Sequence, residues 1–470
     1  MVRRDNRGVN DLSLFLPCAA GVEDFLAQEV HALTGRAGGD LHSLRGGVRV
    51  AAGWRDALLL NLHSRLAQRV LVELAHAPYR SENDLYAIAS GVAWELWFTP
   101  KQSFKIETTA QHSPLTSLNF ATLRIKDAIA DRFRAKAGGV RPSIETQWPD
   151  CRVFAHLTTE HCTLYIDTSG EPLFKRGWRQ DKGDAPLKET LAAAMLAASG
   201  WWQPETGEVS DQPLYDPCCG SGTIAIEAAQ IACGIAAGSL RRFGFEKLLP
   251  FQPHVWAALK ADAVAAAGAP RAAVFGSDVS HRMVDFAERN AERAGVAEAV
   301  ELRGGDALQR MPPAESGVIL LNPPYGERIE VGGVARGRPG GEAVRRGREL
   351  PQTGGGEEGK GDGAGGEFFV QLASHWKKHY AGWTAWVLTP DLQLPRRMRL
   401  KESRRVPMWN GPIECRLFRF ELQRGSFRGS GAAGAPGATG ATGTPGTTNT
   451  TGTTGATGDQ GGPAAAPTAG

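Results

Sequence analysis

Residues 214–227 read LYDPCCGSGTIAIE, and this stretch decides the fold. Its apolar start is typical of a short buried strand that ends at Asp216. The small residues that follow indicate a turn, and a helix is predicted to begin near Thr223. Gly220 and Gly222 can adopt backbone angles that other residues avoid, and they allow a ligand to approach the main chain. The start of the helix would offer free N–H groups to an anionic group such as a carboxylate.

The sequence around this turn predicts a mostly parallel, doubly wound α/β sheet, because strand candidates alternate with helical patterns from residue 213 onward. The strand candidates are Pro213–Asp216, Ala272–Gly276, Val300–Arg303, Val318–Leu321, Ala385–Leu388 and Arg416–Leu422. In one helix between them, one face should carry Met283, Val284, Ala287, Ala291 and Ala294, and Gly295 should end the helix. The turn lacks the G-x-G-x-x-G spacing of dinucleotide-binding proteins, which counts against a nicotinamide cofactor and an oxidoreductase.

Acidic residues follow the next two predicted strands. Asp278 could accept hydrogen bonds from both hydroxyls of a ribose, and Asp306 is suited to an adenine edge. Acids at strand ends are also common as helix caps, so each one alone is ambiguous. Three successive strand ends that carry residues suited to a ligand indicate a binding edge.

The most specific motif is Asn322-Pro323-Pro324-Tyr325, at the end of the fourth predicted strand. The two prolines stiffen the loop and restrict the residue before each of them. The Asn322 amide oxygen and the Pro323 carbonyl can both accept protons from one –NH₂ group, which would direct the nitrogen lone pair toward an electrophilic methyl group. Tyr325 can stack on the face of the same base. The motif therefore predicts methylation of an exocyclic amine.

The N-terminal part of the chain predicts one or two small α+β units without a catalytic constellation. Leu14–Leu16, Arg152–Leu157 and Cys162–Ile166 have strand patterns. A helix is predicted over Ala121–Lys136, with Leu123, Ile125, Ala128, Ile129 and Phe133 as its buried stripe. The ordered chain is expected to divide near residue 180.

Composition excludes several classes of protein. The chain has 470 residues, of which 42% are hydrophobic, and it has no run approaching the roughly 18 apolar residues that would span a membrane. Seven cysteines without a C-x-x-C pair argue against a zinc site or a disulfide framework, and no metal is predicted. We expect a cytoplasmic protein, because the first residues are polar and do not form an apolar signal core.

Two segments are predicted to be disordered, and two are basic. Residues 331–366 contain 14 glycines among 36 residues, and residues 429–470 consist mainly of Gly, Ala, Thr and Pro. The net charge of +3 does not by itself indicate a nucleic-acid partner. The clusters at 175–179 and 394–405 favour phosphate contact, although a solvated charged face would have the same composition.

Together the motifs resemble those of class I S-adenosylmethionine-dependent amino-methyltransferases. The N-terminal half is similar to THUMP-containing RNA methyltransferases. The segments that carry this second resemblance are Pro17–Glu23, Lys126–Ile129, Arg141–Ser143, Phe174–Arg179, Ala185–Leu191 and Trp409–Leu417. Within that family the chain resembles the N-terminal methyltransferase part of the bacterial 23S ribosomal RNA guanine-N2 methyltransferases, over residues 13–330 and 367–423.

The resemblance implies four regions, a cofactor and a substrate. The regions are a ferredoxin-like unit at 1–75, a THUMP RNA-binding domain at 76–168, a Rossmann-like methyltransferase domain at 169–424 and a tail at 425–470. S-adenosylmethionine is the expected cofactor, and the N2 amine of a guanine in large-subunit ribosomal RNA is the expected target. The expected cofactor-binding residues are Asp216, Cys218, Gly220, Ser221, Gly222, Asp278, Asp306, Ala307 and Asn322. The expected catalytic residues are Asn322, Pro323, Pro324 and Tyr325, and the expected RNA phosphate contacts are Lys175, Arg176, Arg179, Arg396 and Arg397.

The sequence differs from the family in two ways, and it is compatible with several other functions. The insertion at 331–366 is unusually long, and a second methyltransferase domain that some members carry has no counterpart, so one base-modifying activity is expected. The same loop motif also serves enzymes that methylate adenine N6 or a glutamine side chain, and another RNA such as tRNA is a further alternative. An RNA-binding protein with an inactive methyltransferase domain is the rival from another class. The sequence leaves the target nucleotide, the assembly state of the substrate and the oligomeric state open.

Overall fold

The computed structural model describes residues 12–183, 186–323 and 364–423. The described residues form two seven-stranded sheets, one from residues 12–167 and one from residues 214–421. Pro324, Tyr325, the glycine-rich insertion up to residue 363 and the C-terminal segment from residue 424 lie outside the described residues.

The first sheet is mixed and has the strand order β2-β3-β1-β4-β7-β6-β5. Its strands are β1 (Leu12–Pro17), β2 (Leu41–Leu44), β3 (Gly47–Ala52), β4 (Leu71–Pro78), β5 (Phe104–Ala110), β6 (Cys151–Leu157) and β7 (His161–Asp167). Its helices are α1 (Glu23–Thr34), α2 (Trp54–His63), α3 (Glu82–Gly91) and α4 (Leu118–Lys136). The expected boundary between residues 75 and 76 falls inside β4, which pairs with β1 on one side and β7 on the other. The two expected N-terminal units therefore share one sheet.

Helix α4 corrects one detail of the predicted buried stripe. Ile125, Ala128, Ile129 and Phe133 are buried as expected, but Leu123 is 49% exposed. Leu123 lies two residues from Ile125, and residues two apart on a helix do not share a face.

The second sheet has the order β10-β9-β8-β11-β12-β14-β13, with its first five strands parallel. Its strands are β8 (Leu214–Asp216), β9 (Val274–Asp278), β10 (Val300–Gly304), β11 (Gly317–Leu321), β12 (Trp383–Thr389), β13 (Glu402–Asn410) and β14 (Ile413–Glu421). Its helices are α5 (Glu189–Ser199), α6 (Thr223–Ala232), α7 (Pro253–Ala266), α8 (His281–Arg293), α9 (Ala364–His379) and α10 (Leu394–Met398). All six strands predicted in this region are present. The sequence prediction missed β13, because its arginine-rich start was interpreted only as a basic cluster.

Residue chemistry explains the layers of this domain. All five residues of β11 are buried, as expected for a central parallel strand covered on both faces. Helix α6 is buried over its whole length, and it is built mainly from alanine and isoleucine. Helix α8 has a buried face of Val284, Ala287 and Ala291, and Gly295 follows it with a φ of 72°.

A buried ionic network joins the two sheets. Its members are Glu29, Arg65, Arg176 and Glu227, which are all at most 6% exposed. Glu227 on α6 accepts hydrogen bonds from Arg176 Nε at 2.9 Å and from Arg65 Nη1 at 3.1 Å. Burial alone would raise the pKa of Glu227, but Arg176 and Arg65 hold it below its ordinary value. Glu29 on α1 accepts from the Arg65 backbone N–H at 2.7 Å and the Ser64 hydroxyl at 2.6 Å.

Candidate active site

The main cleft lies at the carboxyl ends of β8, β9 and β11 and has a volume of about 850 Å³. Ligands bind at this edge in open α/β sheets, because the loops that follow parallel strands gather there. The expected site residues that line it are Cys218, Gly220, Ser221, Asp278, Asn322 and Pro323. The remaining lining residues are Lys182, Gly183, Pro186, Leu187, Thr223, Arg282, Met283, Phe286, Asn410 and Ile413.

The turn after β8 has the conformation that its glycines permit. Gly220 has a φ of 53° and Gly222 a φ of 87°, both in the left-handed region. A Cβ atom on Gly222 would lie 3.0 Å from the Cβ of Ala287 on α8, so this position has no room for a side chain. The turn therefore brings bare backbone to the cleft directly before α6 begins.

Asp278 fixes this turn from the neighbouring strand. Its carboxylate accepts hydrogen bonds from the Gly220 N–H and the Ser280 N–H, both at 2.9 Å. Burial raises the pKa of Asp278, and these two N–H donors partly offset the effect. A carboxylate has about four lone-pair sites, so two remain for a ligand in the cleft.

Asp216 lies behind the cleft wall, whereas the neighbouring Cys218 lines the cleft. Asp216 is 1% exposed and is not among the cleft-lining residues. Its carboxylate accepts from the Cys218 N–H at 3.1 Å, so the side chain stabilises the turn from inside. Burial raises the pKa of Asp216 to about 8 and raises those of Cys218 and Cys219 well above their ordinary value. Both thiols therefore stay protonated, which makes them poor ligands and nucleophiles.

Asp306 and Ala307 also stand apart from the cleft lining. Asp306 follows β10 and accepts from the Leu308 N–H at 2.9 Å. Ala307 is buried in a core cluster that includes Tyr215 and Ile319. Their expected contacts with an adenine stay predictions.

The expected RNA-contact residues divide into two groups. Arg176 is 1% exposed and donates to Glu227 and to the carbonyls of Leu173 and Arg65. This corrects the expected phosphate contact, because a buried and fully paired guanidinium cannot reach RNA. Arg179 is largely buried, pairs with Glu189 at 3.0 Å and donates to Thr223 Oγ1 at 2.9 Å. Its contacts support the cleft wall.

Lys175, Arg396 and Arg397 are closer to solvent. The side chain of Lys175 is 57% exposed and pairs with Glu171. Arg396 is exposed on α10, and the half-buried Arg397 pairs with Asp391 at 3.0 Å. The basic cluster at 394–405 is split between α10 and β13.

A second, basic cleft of about 610 Å³ adjoins the main one. Lys182, Pro186 and Leu187 line both clefts. The other cations that line the basic cleft are Lys175, Arg179, Lys188, Arg241 and Arg242, and its acids are Glu171 and Glu189. Arg241 donates to the carbonyls of Ser169, Glu171, Pro172 and Lys175, so it holds the linker between the sheets.

The sequence interpretation missed several lining residues for identifiable reasons. Met283 was assigned to the face of α8 that carries the alanines, but it lines the main cleft together with Phe286 one turn further along. The sequence signal that could have placed them in the cleft is a pair of large residues, Met283 and Phe286, beside a stripe of alanines. Asn410 and Ile413 come from the β13–β14 turn. They belong to the segment Trp409–Leu417, which carries part of the family resemblance, but the sequence analysis did not assign them to the site.

Two properties of the described residues bear on other functions. No helix in the described ranges is both long and apolar enough to cross a membrane. Within the same ranges, no group of three or more His, Cys, Asp or Glu side chains is arranged to hold a metal ion.

The strand order and the strand-end cleft define a class I methyltransferase, a class that uses S-adenosylmethionine. Comparison with known families identifies three domains along the chain. Residues 13–71 match the RlmL ferredoxin-like domain, residues 79–167 the THUMP domain and residues 176–335 the RMKL-like methyltransferase domain. Within that class, the chain resembles the RlmL-type enzymes, since it combines an RlmL ferredoxin-like domain and a THUMP domain with an RMKL-like methyltransferase domain.

Curated relatives agree with this assignment over part of their length. The chain is 38% identical over 387 residues to the ribosomal RNA large subunit methyltransferase K/L of Shewanella loihica, covering 81% of this chain and 49% of that protein. It is 33% identical over 424 residues to the protein of the same name from Psychromonas ingrahamii, covering 87% and 50%. The chain thus spans about half the length of these relatives.

Solved structures share the architecture. The methyltransferase structure SMU.472, complexed with SAH, is 25% identical, with a TM-score of 0.73 over 89% of this chain and 100% of that one. A Listeria monocytogenes structure named as a "predicted N6-adenine-specific DNA methylase" is 26% identical, with a TM-score of 0.72 over 88% and 97%. TrmN from Thermus thermophilus, at 19% identity and a TM-score of 0.58, shows the same fold.

Proposed function

We propose that this protein transfers a methyl group from S-adenosylmethionine to the exocyclic N2 amine of a guanine in large-subunit (23S) ribosomal RNA. One observation carries the proposal: Asn322 and Pro323 line the same cleft as Gly220 and Asp278. The groups suited to an amine thus share one space with those suited to the methyl donor. The names of the curated relatives support ribosomal RNA as the substrate.

The residues of the main cleft fit S-adenosylmethionine. Its volume of about 850 Å³ lies within the range of small-molecule sites. Gly220 leaves the backbone open toward the methionine part, Gly222 lets the same turn pack closely against α8, and Asp278 keeps lone pairs for the ribose hydroxyls. Cys218 and Ser221 line the same wall, and Asp306 and Ala307 are proposed as more distant adenine contacts. When bound, the cofactor supplies an electrophilic methyl group.

The chain's own residues position the acceptor. The Asn322 side-chain oxygen and the Pro323 carbonyl accept hydrogen bonds from the two N–H groups of the target amine. These bonds direct the nitrogen lone pair toward the methyl group of the cofactor. Pro324 and Tyr325 complete the proposed motif, with Tyr325 stacking on the base. No strong general base is required, because the amine becomes acidic once it carries the methyl group. Positioning and electrostatics are therefore the protein's contribution.

The adjoining basic cleft suggests how RNA reaches this site. The target guanine must leave its stack to enter the main cleft. Lys175, Lys182, Lys188 and Arg242 line the basic cleft, and Lys182 also lines the main one. We assign the phosphates flanking the target base to these cations, with Arg396 and Arg397 as more distant contacts. The THUMP domain is assigned to binding structured RNA.

The test is transfer of labelled methyl groups to ribosomal RNA from cells that lack this gene, followed by nucleoside analysis. The expected product is N2-methylguanosine in large-subunit RNA. Asn322→Ala should lower kcat by at least about 100-fold, because it removes one of two groups that orient the amine. The variant should keep the wild-type unfolding midpoint in urea, which would show that the fold is intact.

A second candidate is methylation of adenine N6, which the name of the Listeria structure favours. Label in N6-methyladenosine would support it and overturn the guanine assignment. Failure to bind S-adenosylmethionine would instead support an RNA-binding protein without methyltransferase activity.

A further inference from the structure

The β13–β14 turn lies at the catalytic edge of the sheet. Strand β14 runs antiparallel to β12, and its residue Arg416 pairs with Thr389, the last residue of β12. The start of β14 therefore lies where the parallel strands end. Asn410 and Ile413 face each other across the turn formed by Gly411 and Pro412.

Both residues of this pair line the main cleft, together with Asn322 and Pro323. Ile413 is 46% exposed, which is unusual for a large apolar side chain. Within the described part of the chain, the side-chain amide of Asn410 has no hydrogen-bond partner. The turn thus contributes an open donor and acceptor and an apolar surface beside the groups assigned to the target amine.

The backbone of the turn and its neighbours hold the turn in place. Gly411 has a φ of 65°, and a glycine at the first of two central residues is typical of a tight type II′ hairpin. On the other side, the loop before α1 packs closely against β13. A Cβ atom on Gly21 would lie 2.3 Å from the Pro407 carbonyl oxygen and 3.6 Å from the Trp409 ring. A small cavity of about 210 Å³, lined by Cys18, Ala19, Asn410 and Gly411 among others, separates the turn from this loop.

From these observations we propose that Asn410 reads the Watson–Crick edge of the target base, while Ile413 packs against its apolar face. This inference rests on the function proposed above. Next to the N2 amine, guanine presents an N1–H donor and then the O6 acceptor. A carboxamide offers the matching acceptor and donor, and enzymes that extrude a base read this edge by hydrogen bonds. Asn322 and Pro323 hold the reacting amine, and Asn410 determines which base carries it.

The first test measures kcat/KM on ribosomal RNA for Asn410→Ala and Asn410→Asp. Asn410→Asp keeps the size of the side chain but loses the donor to O6. Both variants should lose about 10- to 100-fold, the range for one good pair of base contacts. The Kd for S-adenosylmethionine should be unchanged, and the Kd for RNA should change by less than about threefold, since phosphate contacts dominate affinity.

Glu414→Gln is the matched control, because Glu414 is an exposed neighbour on the same hairpin that pairs with Arg416 and does not line the cleft. It should stay within about twofold of the wild type. Wild-type kcat/KM in both Asn410 variants would overturn the inference.

The second test separates base reading from a structural role. The position that the wild type labels is replaced by 2-aminopurine, which keeps the N2 amine but lacks O6 and the N1 proton. The wild type should prefer guanine over 2-aminopurine by a larger factor than Asn410→Ala does. An equal preference in both enzymes would overturn the inference. If the wild type labels no guanine, the proposed function has failed instead, so the two failures are distinguishable.

Discussion

At the scale of single residues, Asp216 contributes in a way that depends on pH. It is almost completely buried, and it receives one hydrogen bond from the Cys218 N–H. Asp278, a second carboxylate at this edge, accepts hydrogen bonds from two N–H donors. Asp216 has fewer hydrogen-bond donors than Asp278, and burial raises the pKa of Asp216 to about 8. Stabilising a turn with a buried acid therefore has a stability cost that grows as the pH rises from the unfolded pKa toward about 8.

Asp216→Asn should become more stable relative to the wild type as the pH rises. The pKa of Asp216 is higher in the folded state than the unfolded value of about 3.9, so the folded state binds the proton more tightly between these values. The wild type therefore loses up to about 1.4 kcal/mol per pH unit between pH 4 and pH 8, and the asparagine variant does not. Urea unfolding of both proteins from pH 5 to pH 9 measures the difference. The exposed Asp262→Asn is the control, and a pH-independent difference for Asp216→Asn would contradict the prediction.

Local sequence predicted the residues at the strand ends of the main cleft better than it predicted the roles of the basic residues. Glycine in a tight turn and a rigid Asn-Pro-Pro loop have few alternative explanations, so Gly220, Asp278 and Asn322 could be identified before the structure. Arg176 could not be interpreted correctly, because a cation beside an aromatic residue looks the same whether it faces RNA or a buried glutamate. Only the partner Glu227, 51 residues away, decides between the two.

At the scale of elements, the hairpin of β13 and β14 links the N-terminal half to the cleft. The prediction found β14 from its apolar alternation and missed β13, whose exposed arginines hide the buried Val406 and Met408. The turn lies in the resembling segment Trp409–Leu417, but its place at the site was not predicted, because it depends on β14 reversing direction beside β12. Such placement is a property of sheet topology and has no local sequence signal.

Gly21→Ala should destabilise the protein more than Gly46→Ala. Both glycines have a φ of 84°, but a Cβ on Gly46 would meet nothing within 4 Å, whereas on Gly21 it would meet the Pro407 carbonyl. Gly46→Ala should cost about 1–2 kcal/mol for the left-handed backbone alone. Gly21→Ala should cost roughly 2 kcal/mol more, because the hairpin must shift. Chemical denaturation measures both values, and equal losses would show that the loop and the hairpin are not in tight contact.

At the scale of the whole molecule, the two sheets are joined by charge as well as by apolar packing. Glu227 is on the helix that follows the cleft turn, and Arg65 is in the segment after α2. Arg176, in the linker, donates to Glu227 and to the Arg65 carbonyl. The same linker forms one wall of the basic cleft. The lysines that line the basic cleft, Lys175, Lys182 and Lys188, and the structural Arg176 thus come from a single short segment.

Glu227→Ala should lower the free energy of unfolding by about 3–5 kcal/mol, because it leaves two buried guanidinium groups without their carboxylate. Glu402→Ala is the matched control, since the pair of Glu402 with Arg405 at 2.8 Å is on the surface, and its loss should cost at most about 1 kcal/mol. Thermal and urea unfolding of both variants measure the two costs. A loss below about 1 kcal/mol for Glu227→Ala would show that the network does not stabilise the junction.

The buried network also sets a rule for recombining this protein with its relatives. A chimera that takes its N-terminal half from one homologue and its catalytic half from another must inherit compatible residues at 65, 176 and 227. A crossover placed between Arg65 and Arg176 takes these two buried residues from different homologues. The two halves are each intact, but the buried ionic partners no longer come from one protein. A crossover after Glu227 keeps Arg65, Arg176 and Glu227 together, but it also transfers the glycine turn that follows β8. Exchange of RNA specificity between homologues is therefore expected to succeed only when these ionic partners are exchanged as one unit.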